Sequence, residues 1–408
     1  MLNIIFILFF LLSFLAAAFQ SVFMENAQIW TFIVNELFSS AKSAFTISIN
    51  LTGMLCLWLG LLKIAQNSGL TDVFAKILRP LFKKIMPEIP QNHPAIGSIV
   101  MNMAANMLGL DNAATPMGLK AMEQMQELNL QKDTATNAQI MFLVINSSAV
   151  TIIPISILMY RAELGSANPS AVFIPILLAT SVSTIVGFLS VALVQKIKIF
   201  NKVVLAYFGS FIAFISAVAY YFYNLPEDER ISFSTNTGNF ILFSFIALFV
   251  GYAAIKKLNV YETFIEGAKE GFDIAVKIIP YLVAMLTAIA VFKASGLMQA
   301  FTDGIGFIFT KLNLNTDFIP ALPTALMKPL SGSGARAMMI ETLQTYGADS
   351  FEGFVSSVIQ GSTETTFYVL ALYFGAVKIS KTRSALPCAL IADFAGIIAA
   401  ILLSYLFY

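Results

Sequence analysis

The chain has 408 residues, of which 58% are hydrophobic and 12% are charged, and its formal net charge is +1. Soluble domains carry roughly 25% charged residues, so this composition excludes an ordinary soluble protein and predicts an all-α polytopic membrane protein whose first partner is the lipid bilayer. The near-neutral charge provides no basic surface for nucleic acid. Two cysteines and one histidine exclude a disulfide framework and a histidine-rich metal site.

The first apolar run covers about residues 2–22 and is long enough to cross a bilayer. No basic segment precedes it, so we expect a retained span, although Ala16-Ala17-Ala18 has the composition of a signal-peptidase site. A second run covers about 44–64. Over 70–86, apolar residues recur at helical spacing with basic residues opposite, which predicts an amphipathic helix in the membrane interface. A cytoplasmic surface helix is the alternative.

Two short helical segments, about 95–109 and 115–128, come next, on either side of Leu110-Asp111-Asn112. At about 1.5 Å per residue each segment is too short to span the membrane, so we predict a re-entrant hairpin. Further apolar runs then predict four spans, at about 137–160, 171–195, 202–224 and 238–257.

The second part of the chain repeats the first. Ser295-Gly296-Leu297 matches Ser68-Gly69-Leu70, and Ala268-Lys269-Glu270-Gly271-Phe272 matches Ala41-Lys42-Ser43-Ala44-Phe45 at the same displacement. This order predicts two repeats, each with an interfacial helix, a re-entrant hairpin, a broken span and an intact span; chance similarity between apolar segments is the alternative. The second set lies at about 297–311, 318–330 with 335–346, 352–375 and 384–407.

The distribution of lysine and arginine predicts how the repeats are oriented. Basic connectors face the cytoplasm, and in this chain they lie at 76–84, 196–202, 256–257 and 378–383. That arrangement places the acidic loop 227–229 outside and gives the two repeats opposite orientations. Inverted repeats with broken elements near the midplane are typical of secondary transporters.

The tip of the first hairpin is one candidate binding site. Thr115, with Pro116 after it, suits the start of the second helix of the hairpin. A helix start has free backbone N–H groups and a partial positive charge, which favour an anionic or carbonyl-bearing group. Asp111 and Asn112 would add polar contacts to such a group. A turn that only caps itself is the alternative.

The tip of the second hairpin, Leu330-Ser331-Gly332-Ser333-Gly334-Ala335-Arg336, is a second candidate. A glycine-rich loop that opens a helix can bind an anion, and we expect Ser331, Ser333 and Arg336 to contact the substrate. As an alternative, Arg336 forms a structural ion pair with Asp111 or Glu364.

Polar residues also interrupt the span that follows each hairpin. Glu364 lies inside the second of these spans, where an acidic residue indicates a proton carrier, a cation ligand or a counter-ion; a buried ion pair is the alternative. Asp111 is the other candidate for ion coupling, and Asp393 in the last span is a weaker one. The residues of the two interruptions that we expect to bind substrate are Asn146, Ser148, Gln360, Ser362 and Thr363.

No metalloprotease, nucleotide-binding or nucleophile-elbow motif occurs in the sequence, so we expect neither an enzyme nor a metal site. We expect no cofactor. Without an ATPase domain, active transport would require a gradient of H⁺ or Na⁺.

Three stretches resemble known families. Asn106-Met107-Leu108-Gly109-Leu110-Asp111-Asn112-Ala113-Ala114-Thr115-Pro116 resembles the spore maturation protein A family. The stretches Lys328-Pro329-Leu330-Ser331-Gly332-Ser333-Gly334-Ala335-Arg336 and Gln360-Gly361-Ser362-Thr363-Glu364-Thr365-Thr366-Phe367-Tyr368 resemble the spore maturation protein B family. The chain is similar to a fusion of the two, which implies an A-like half at 1–197 and a B-like half at 198–408.

Each half also resembles a nucleoside-recognition Gate domain, and the order of elements is similar to the core of concentrative nucleoside transporters. This resemblance implies a multi-pass protein of the bacterial inner membrane. One hypothesis is a transporter that moves or binds a small polar solute, nucleoside-like or anionic, by alternating access with ion coupling. The other is a non-transporting scaffold or sensor for cell-envelope or spore-core maturation. The sequence leaves open the substrate and whether the chain forms a homo-oligomer.

Overall fold

The computed structural model describes residues 2–90, 92–108, 111–197 and 201–408. Within these ranges the chain is helical, and the only strand-like pairing is an isolated bridge between Thr134 and Lys381. Seven of the described helices are long and apolar enough to cross a membrane. The prediction of an all-α polytopic membrane protein is confirmed.

The first part of the chain folds into a series of helices that ends just before residue 198. They are α1 (Leu2–Phe23), α2 (Ile29–Asn67), α3 (Leu70–Ile85), α4 (Pro94–Met107), α5 (Asp111–Glu127), α6 (Asn137–Ser147), α7 (Ile155–Glu163) and α8 (Phe173–Gln195).

The second part begins with two peripheral spans and then continues with a comparable series. Its helices are α9 (Lys202–Tyr223), α10 (Glu227–Ile255), α11 (Val260–Ala294), α12 (Leu297–Lys311), α13 (Leu322–Met327), α14 (Gly332–Tyr346), α15 (Phe351–Ser362), α16 (Thr366–Ala376) and α17 (Ala385–Phe407).

Two spans are longer than the apolar runs from which they were predicted. Helix α2 begins at Ile29 instead of near residue 44, because the sequence between these points contains neither proline nor glycine. Helix α10 begins at Glu227, so the acidic segment that was predicted to be a loop forms the first turn of a helix. Acidic residues are favourable there because they complement the partial positive charge of the helix start.

After α2 and after α11, the chain presents the same order of elements. Gly69 and Gly296 have φ angles of +80° and +78°, a left-handed conformation that favours glycine, and each directly precedes an amphipathic helix. The matched Ser-Gly-Leu sequences therefore form the same turn twice. A helix pair, an interrupted span and an uninterrupted span follow in both parts. The opposite membrane orientation of the two repeats stays a prediction.

The helix pairs of the two hairpins are present, but their tips differ from the predicted ones. Helix α5 begins at Asp111, ahead of the predicted start at Thr115. Helix α14 begins at Gly332, so the glycines lie in its first turn and not in a loop. The reason is the hydroxyl of Ser331, which accepts the backbone N–H of Gly334 at 3.0 Å and so caps the helix.

Both predicted interruptions are present. The first separates α6 from α7 and covers residues 148–154, and the second separates α15 from α16 and covers 363–365. The short extended segments at these points interrupt the helical hydrogen bonds, so some of their backbone N–H and C=O groups have no partner within a helix. Such segments are tolerated at membrane depth only where protein or a polar cavity surrounds them.

The two longest helices, α2 and α11, with 39 and 35 residues, pack closely along their length. A Cβ atom at Gly267 would lie 2.4 Å from the carbonyl oxygen of Leu59, and one at Gly271 would lie 2.8 Å from the Cys56 backbone nitrogen. Two glycines four residues apart allow two membrane helices to approach at backbone distance. This pair forms one wall of the cavity described below.

Polar contacts join the two parts of the chain outside the spans. The ammonium group of Lys381 lies 2.7 Å from the carboxylate of Asp133, and its hydrogen bond holds the pKa of Asp133 below the usual value. Ala135 donates its N–H to the Lys381 carbonyl at 3.0 Å. The loop after the first hairpin is thus held by the loop before α17.

Candidate functional site

A central cavity of about 310 Å³ lies between the two interrupted spans. Helices α2 and α11 form one wall, and the second hairpin contributes to the other. Apolar residues such as Trp58 and Ile157 cover part of the surface. Its polar lining consists of Lys63, Gln66, Asn106, Thr151, Ser156, Glu270, Lys328, Arg336, Gln360, Thr363 and Glu364.

The two interruptions are held by backbone hydrogen bonds. Glu364 donates its N–H to the carbonyl of Ser147 at 2.8 Å, which joins the second interruption to the end of α6. Each interrupted span is also tied to its own hairpin, by the Ile152 N–H to the carbonyl of Met107 at the end of α4 and by the Phe367 N–H to the carbonyl of Pro329 just after α13, both at 3.0 Å. The two parts of the chain therefore make matching contacts at the cavity.

Four of the hydroxyl residues expected to bind substrate are used in local structure instead. Ser148 and Ser362 donate to the carbonyls of Val144 and Ile359, both at 2.8 Å. Ser331 caps α14 as described above, and Ser333 lies 3.2 Å from it, oxygen to oxygen. Among the residues that the structure describes, none of these four serines lines the cavity.

Asn146, another residue expected to bind substrate, does not line the cavity but contacts a residue that does. It is buried, donates to the carbonyl of Phe142 at 2.9 Å and accepts a hydrogen bond from Asn106 at 2.9 Å. Asn106 itself lines the cavity. Asn106 was not predicted as a site residue, although an asparagine near the end of an apolar helix is itself a signal of a polar site.

Arg336 and Glu364 line the cavity and bring charge into it, while their expected roles in substrate contact and ion coupling stay predictions. The guanidinium carbon of Arg336 lies 5.8 Å from the centroid of the Tyr160 ring, in a cation–π contact. Glu364 is exposed to the cavity at the end of the second interruption. Neither residue takes part in the ion pairs found among the described residues, which are Lys63–Glu266, Lys63–Glu270, Arg161–Asp349, Lys293–Glu341 and Lys381–Asp133.

Two lysines of the cavity were not identified from the sequence as site residues. Lys328, at the end of the first helix of the second hairpin, is only 4% exposed and lines the cavity. Lys63, on α2, lies 2.7 Å from Glu270 on α11 and is partly exposed at the edge of the cavity. Because Lys63 has an acidic partner on α11 and Arg336 lies against the ring of Tyr160, Arg336 is the basic group best placed to meet a solute.

The first hairpin contributes less to the described site than expected. Thr115 is half-buried within α5 and does not line the cavity. The side chains of Asp111 and Asn112, together with Gly109 and Leu110, lie outside the described residues. Their predicted roles in substrate binding and ion coupling, and the predicted pair between Asp111 and Arg336, therefore stay predictions.

Comparison with known proteins adds a family match and two relatives. The profile of the family described as "Gate: Nucleoside recognition" matches residues 48–167 and 275–380, together more than half of the chain. The chain is 47% identical to spore maturation protein A of Bacillus subtilis (strain 168) over 153 residues, which are 37% of this chain and 78% of that protein. It is 45% identical to spore maturation protein B of the same organism over 157 residues, 38% of this chain and 86% of that protein.

Proposed function

Since the chain belongs to the Gate family of nucleoside-recognition membrane proteins, we propose that its central cavity binds a small polar solute, nucleoside-like or anionic, and passes it across the membrane. The observation that carries this proposal is the position of the cavity between two interrupted spans that make matching backbone contacts. Interrupted helices around a central site are the usual architecture of secondary transporters.

The chemistry of the cavity supports a solute that carries hydrogen-bonding groups and a negative or carbonyl-rich part. Lys328 and Arg336 supply positive charge, while Gln360 and Asn106 supply amide donors and acceptors. The ring of Trp58 and the aliphatic side chains around it provide an apolar surface for a base or ring. A volume of about 310 Å³ is at the small end of the range for ligand pockets, roughly 300–1,000 Å³, and suits a metabolite.

Alternating access would arise from movement of the hairpins against the interrupted spans. A Cβ atom at Gly332 would lie 2.8 Å from the Thr365 hydroxyl, so the tip of the second hairpin rests directly on the second interruption. A small displacement of this hairpin would open the cavity on its side. Coupling to H⁺ or Na⁺, with Glu364 or Asp111 as the sequence-based candidates, would drive the cycle. The bacterial inner membrane is the proposed location.

Uptake into proteoliposomes tests the proposal, with radiolabelled uridine, adenosine and uridine monophosphate as probes. We expect one class of probe to accumulate in the presence of an inward Na⁺ or H⁺ gradient. Arg336→Gln should reduce this uptake roughly tenfold or more, because losing a hydrogen bond to a charged group costs about 1.5–3 kcal/mol. Arg79→Gln, at an exposed position on α3 outside the cavity, is the matched control and should transport normally.

One outcome would contradict transport, and another would contradict the role of the cavity in it. If the protein binds a probe but moves none of them, the scaffold or sensor hypothesis is supported instead. If uptake occurs but Arg336→Gln and Arg79→Gln behave alike, the solute passes by a route that does not use the cavity.

A further inference from the structure

A second polar cluster lies next to the cavity, between the second interruption and the last span. It consists of Asp393 on α17 with Thr363 and Thr366, and we call it the Asp393 cluster. The three residues are 1%, 3% and 0% exposed. Both carboxylate oxygens of Asp393 and both threonine hydroxyls are buried and lack a hydrogen-bond partner among the described residues.

The packing of α17 directs this carboxylate at the interruption. Gly396 lies one turn after Asp393, and a Cβ atom there would be 2.6 Å from the Thr363 methyl group and 3.1 Å from the Ser362 carbonyl oxygen. The hydroxyls of Thr366 and Thr363 are close enough to act on the Asp393 carboxylate, although neither contact has the full geometry of a hydrogen bond. Buried polar atoms are nearly always paired, so four unpaired oxygens in one place require an explanation.

In the first repeat, the residue at the corresponding position has a hydrogen-bond partner. On α8, Gly187 packs against the Ser148 side chain at the first interruption, as Gly396 packs against the second. Thr184, three residues before Gly187, donates its hydroxyl to the Ser148 carbonyl. Asp393 is likewise three residues before Gly396, but an ionised carboxylate has no proton to donate. The position of the Thr184 donor in one repeat is thus occupied by the Asp393 acceptor in the other.

The charges around the Asp393 cluster indicate what could complete it. Among the described residues, Lys328 and Glu364 are the charged side chains that interact with Asp393, so these three have one positive and two negative charges. The carbonyl end of α15, at Ser362, adds the partial negative charge of a helix C-terminus. One bound monovalent cation would balance this set.

We propose that the Asp393 cluster is a binding site for Na⁺, with the Asp393 carboxylate and the hydroxyls of Thr363 and Thr366 as ligands. Oxygen ligands suit a hard cation, while a single carboxylate is too few for the 6–8 oxygen ligands that Ca²⁺ prefers. The described residues contain no cluster of three or more His, Cys, Asp or Glu that would suit a transition metal. Unwound segments and half-helix C-termini coordinate Na⁺ in other transporters.

The position of the site explains how the cation would act on the solute. Thr363 is shared by the central cavity and the Asp393 cluster, because it lines the cavity and also faces Asp393. Glu364, the next residue, points to the cavity side. A cation bound at Asp393 would fix the conformation of the second interruption and thereby raise affinity for the solute, a coupling between two sites through one shared segment. This role rests on the proposed transport function, whereas the site itself does not.

The test is a titration of the purified, detergent-solubilised protein with NaCl, with choline chloride added to keep ionic strength constant. No solute is present, so the result is independent of whether the protein transports. We expect a saturable rise in Tm that choline chloride alone does not produce, because a cation that binds only the folded state stabilises it. Asp393→Asn should raise the half-saturating Na⁺ concentration by roughly tenfold or more.

Two further variants make the test specific. Thr366→Val keeps the shape of the side chain and removes one ligand, so it should also weaken the response, and it serves if Asp393→Asn does not fold. Asp273→Asn, at an exposed position on α11 outside the cavity and the Asp393 cluster, is the control and should leave the Na⁺ response at the same concentration within about twofold. The proposal is overturned if the wild type responds equally to Na⁺ and choline, or if the Na⁺ response survives unchanged in both Asp393→Asn and Thr366→Val.

Discussion

Replacing Arg161 with alanine is expected to lower the free energy of unfolding by about 3–5 kcal/mol, the usual cost of breaking a buried charged network. Arg161, near the end of α7, is 1% exposed. Its guanidinium donates to the carbonyl of Ala348 at 2.6 Å and to the carboxylate of Asp349 at 2.9 Å. The same group contacts Ser166, Pro169 and Ser357. One side chain therefore joins the first interrupted span to the segment that precedes α15.

The measurement is Tm of the purified protein in detergent, beside the exposed control Arg79→Ala. Asp349→Asn should cost less than Arg161→Ala, because Asp349 is 42% exposed and Arg161 keeps its other acceptors. Equal losses for Asp349→Asn and Arg161→Ala would show that the ion pair, and not the buried network of carbonyl and hydroxyl acceptors, provides the stabilisation. A stable Arg161→Ala protein would contradict the network altogether.

Gly267→Leu should prevent the close packing of α2 and α11 and leave little folded protein. A Cβ atom at this position would meet the Leu59 carbonyl oxygen at 2.4 Å and the Gly60 Cα at 2.9 Å. These are backbone atoms, which cannot rotate away as a flexible side chain can. Overpacking a core typically costs about 1–3 kcal/mol, and a clash between two backbones at a helix crossing should exceed that range.

Gly53→Leu is the matched control for this experiment, since it lies on α2 and a Cβ atom there has no neighbour within 4 Å. Size-exclusion chromatography of the detergent-solubilised proteins provides the readout. We expect a monodisperse peak for Gly53→Leu and aggregation or loss of expression for Gly267→Leu. Similar behaviour of the two variants would mean that α2 and α11 do not depend on close contact.

The membrane class and the order of elements could be predicted because both depend on local patterns. Apolar runs predicted the spans, and the two Ser-Gly-Leu sequences marked the turns that require a left-handed glycine at Gly69 and Gly296. Polar residues inside apolar runs located both interruptions. Helix ends were less accurate: the capping hydroxyl of Ser331 made the following glycines helical, and the acidic segment at Glu227 became a first turn.

The composition of the cavity could be predicted only in part, because a sequence does not show which way a polar side chain points. Arg336, Gln360, Thr363 and Glu364 line the cavity, whereas Ser148 and Ser362 use their hydroxyls to bond the preceding turn. No pattern near Arg161 or Lys328 distinguishes them from ordinary residues at helix ends. Arg161 has its principal partners at Ala348 and Asp349, far away in the sequence.

The central claim, that the cavity between the interrupted spans is where the solute binds, is tested most directly by cysteine protection. With Cys56 and Cys388 replaced by alanine, a cysteine is introduced at Thr151, which lines the cavity. A second protein carries the cysteine at Gln131, an exposed residue of the loop between α5 and α6 that does not line the cavity. Both are labelled in detergent with a polar maleimide, with and without uridine, adenosine or uridine monophosphate.

We predict that at least one of these probes slows labelling at Thr151→Cys in a concentration-dependent manner and leaves labelling at Gln131→Cys unchanged. Arg336→Gln in the Thr151→Cys background should shift the protecting concentration upward by roughly tenfold or more. The account is contradicted if a probe stabilises the protein against heat but leaves labelling at Thr151→Cys unchanged, because the solute would then bind outside the cavity.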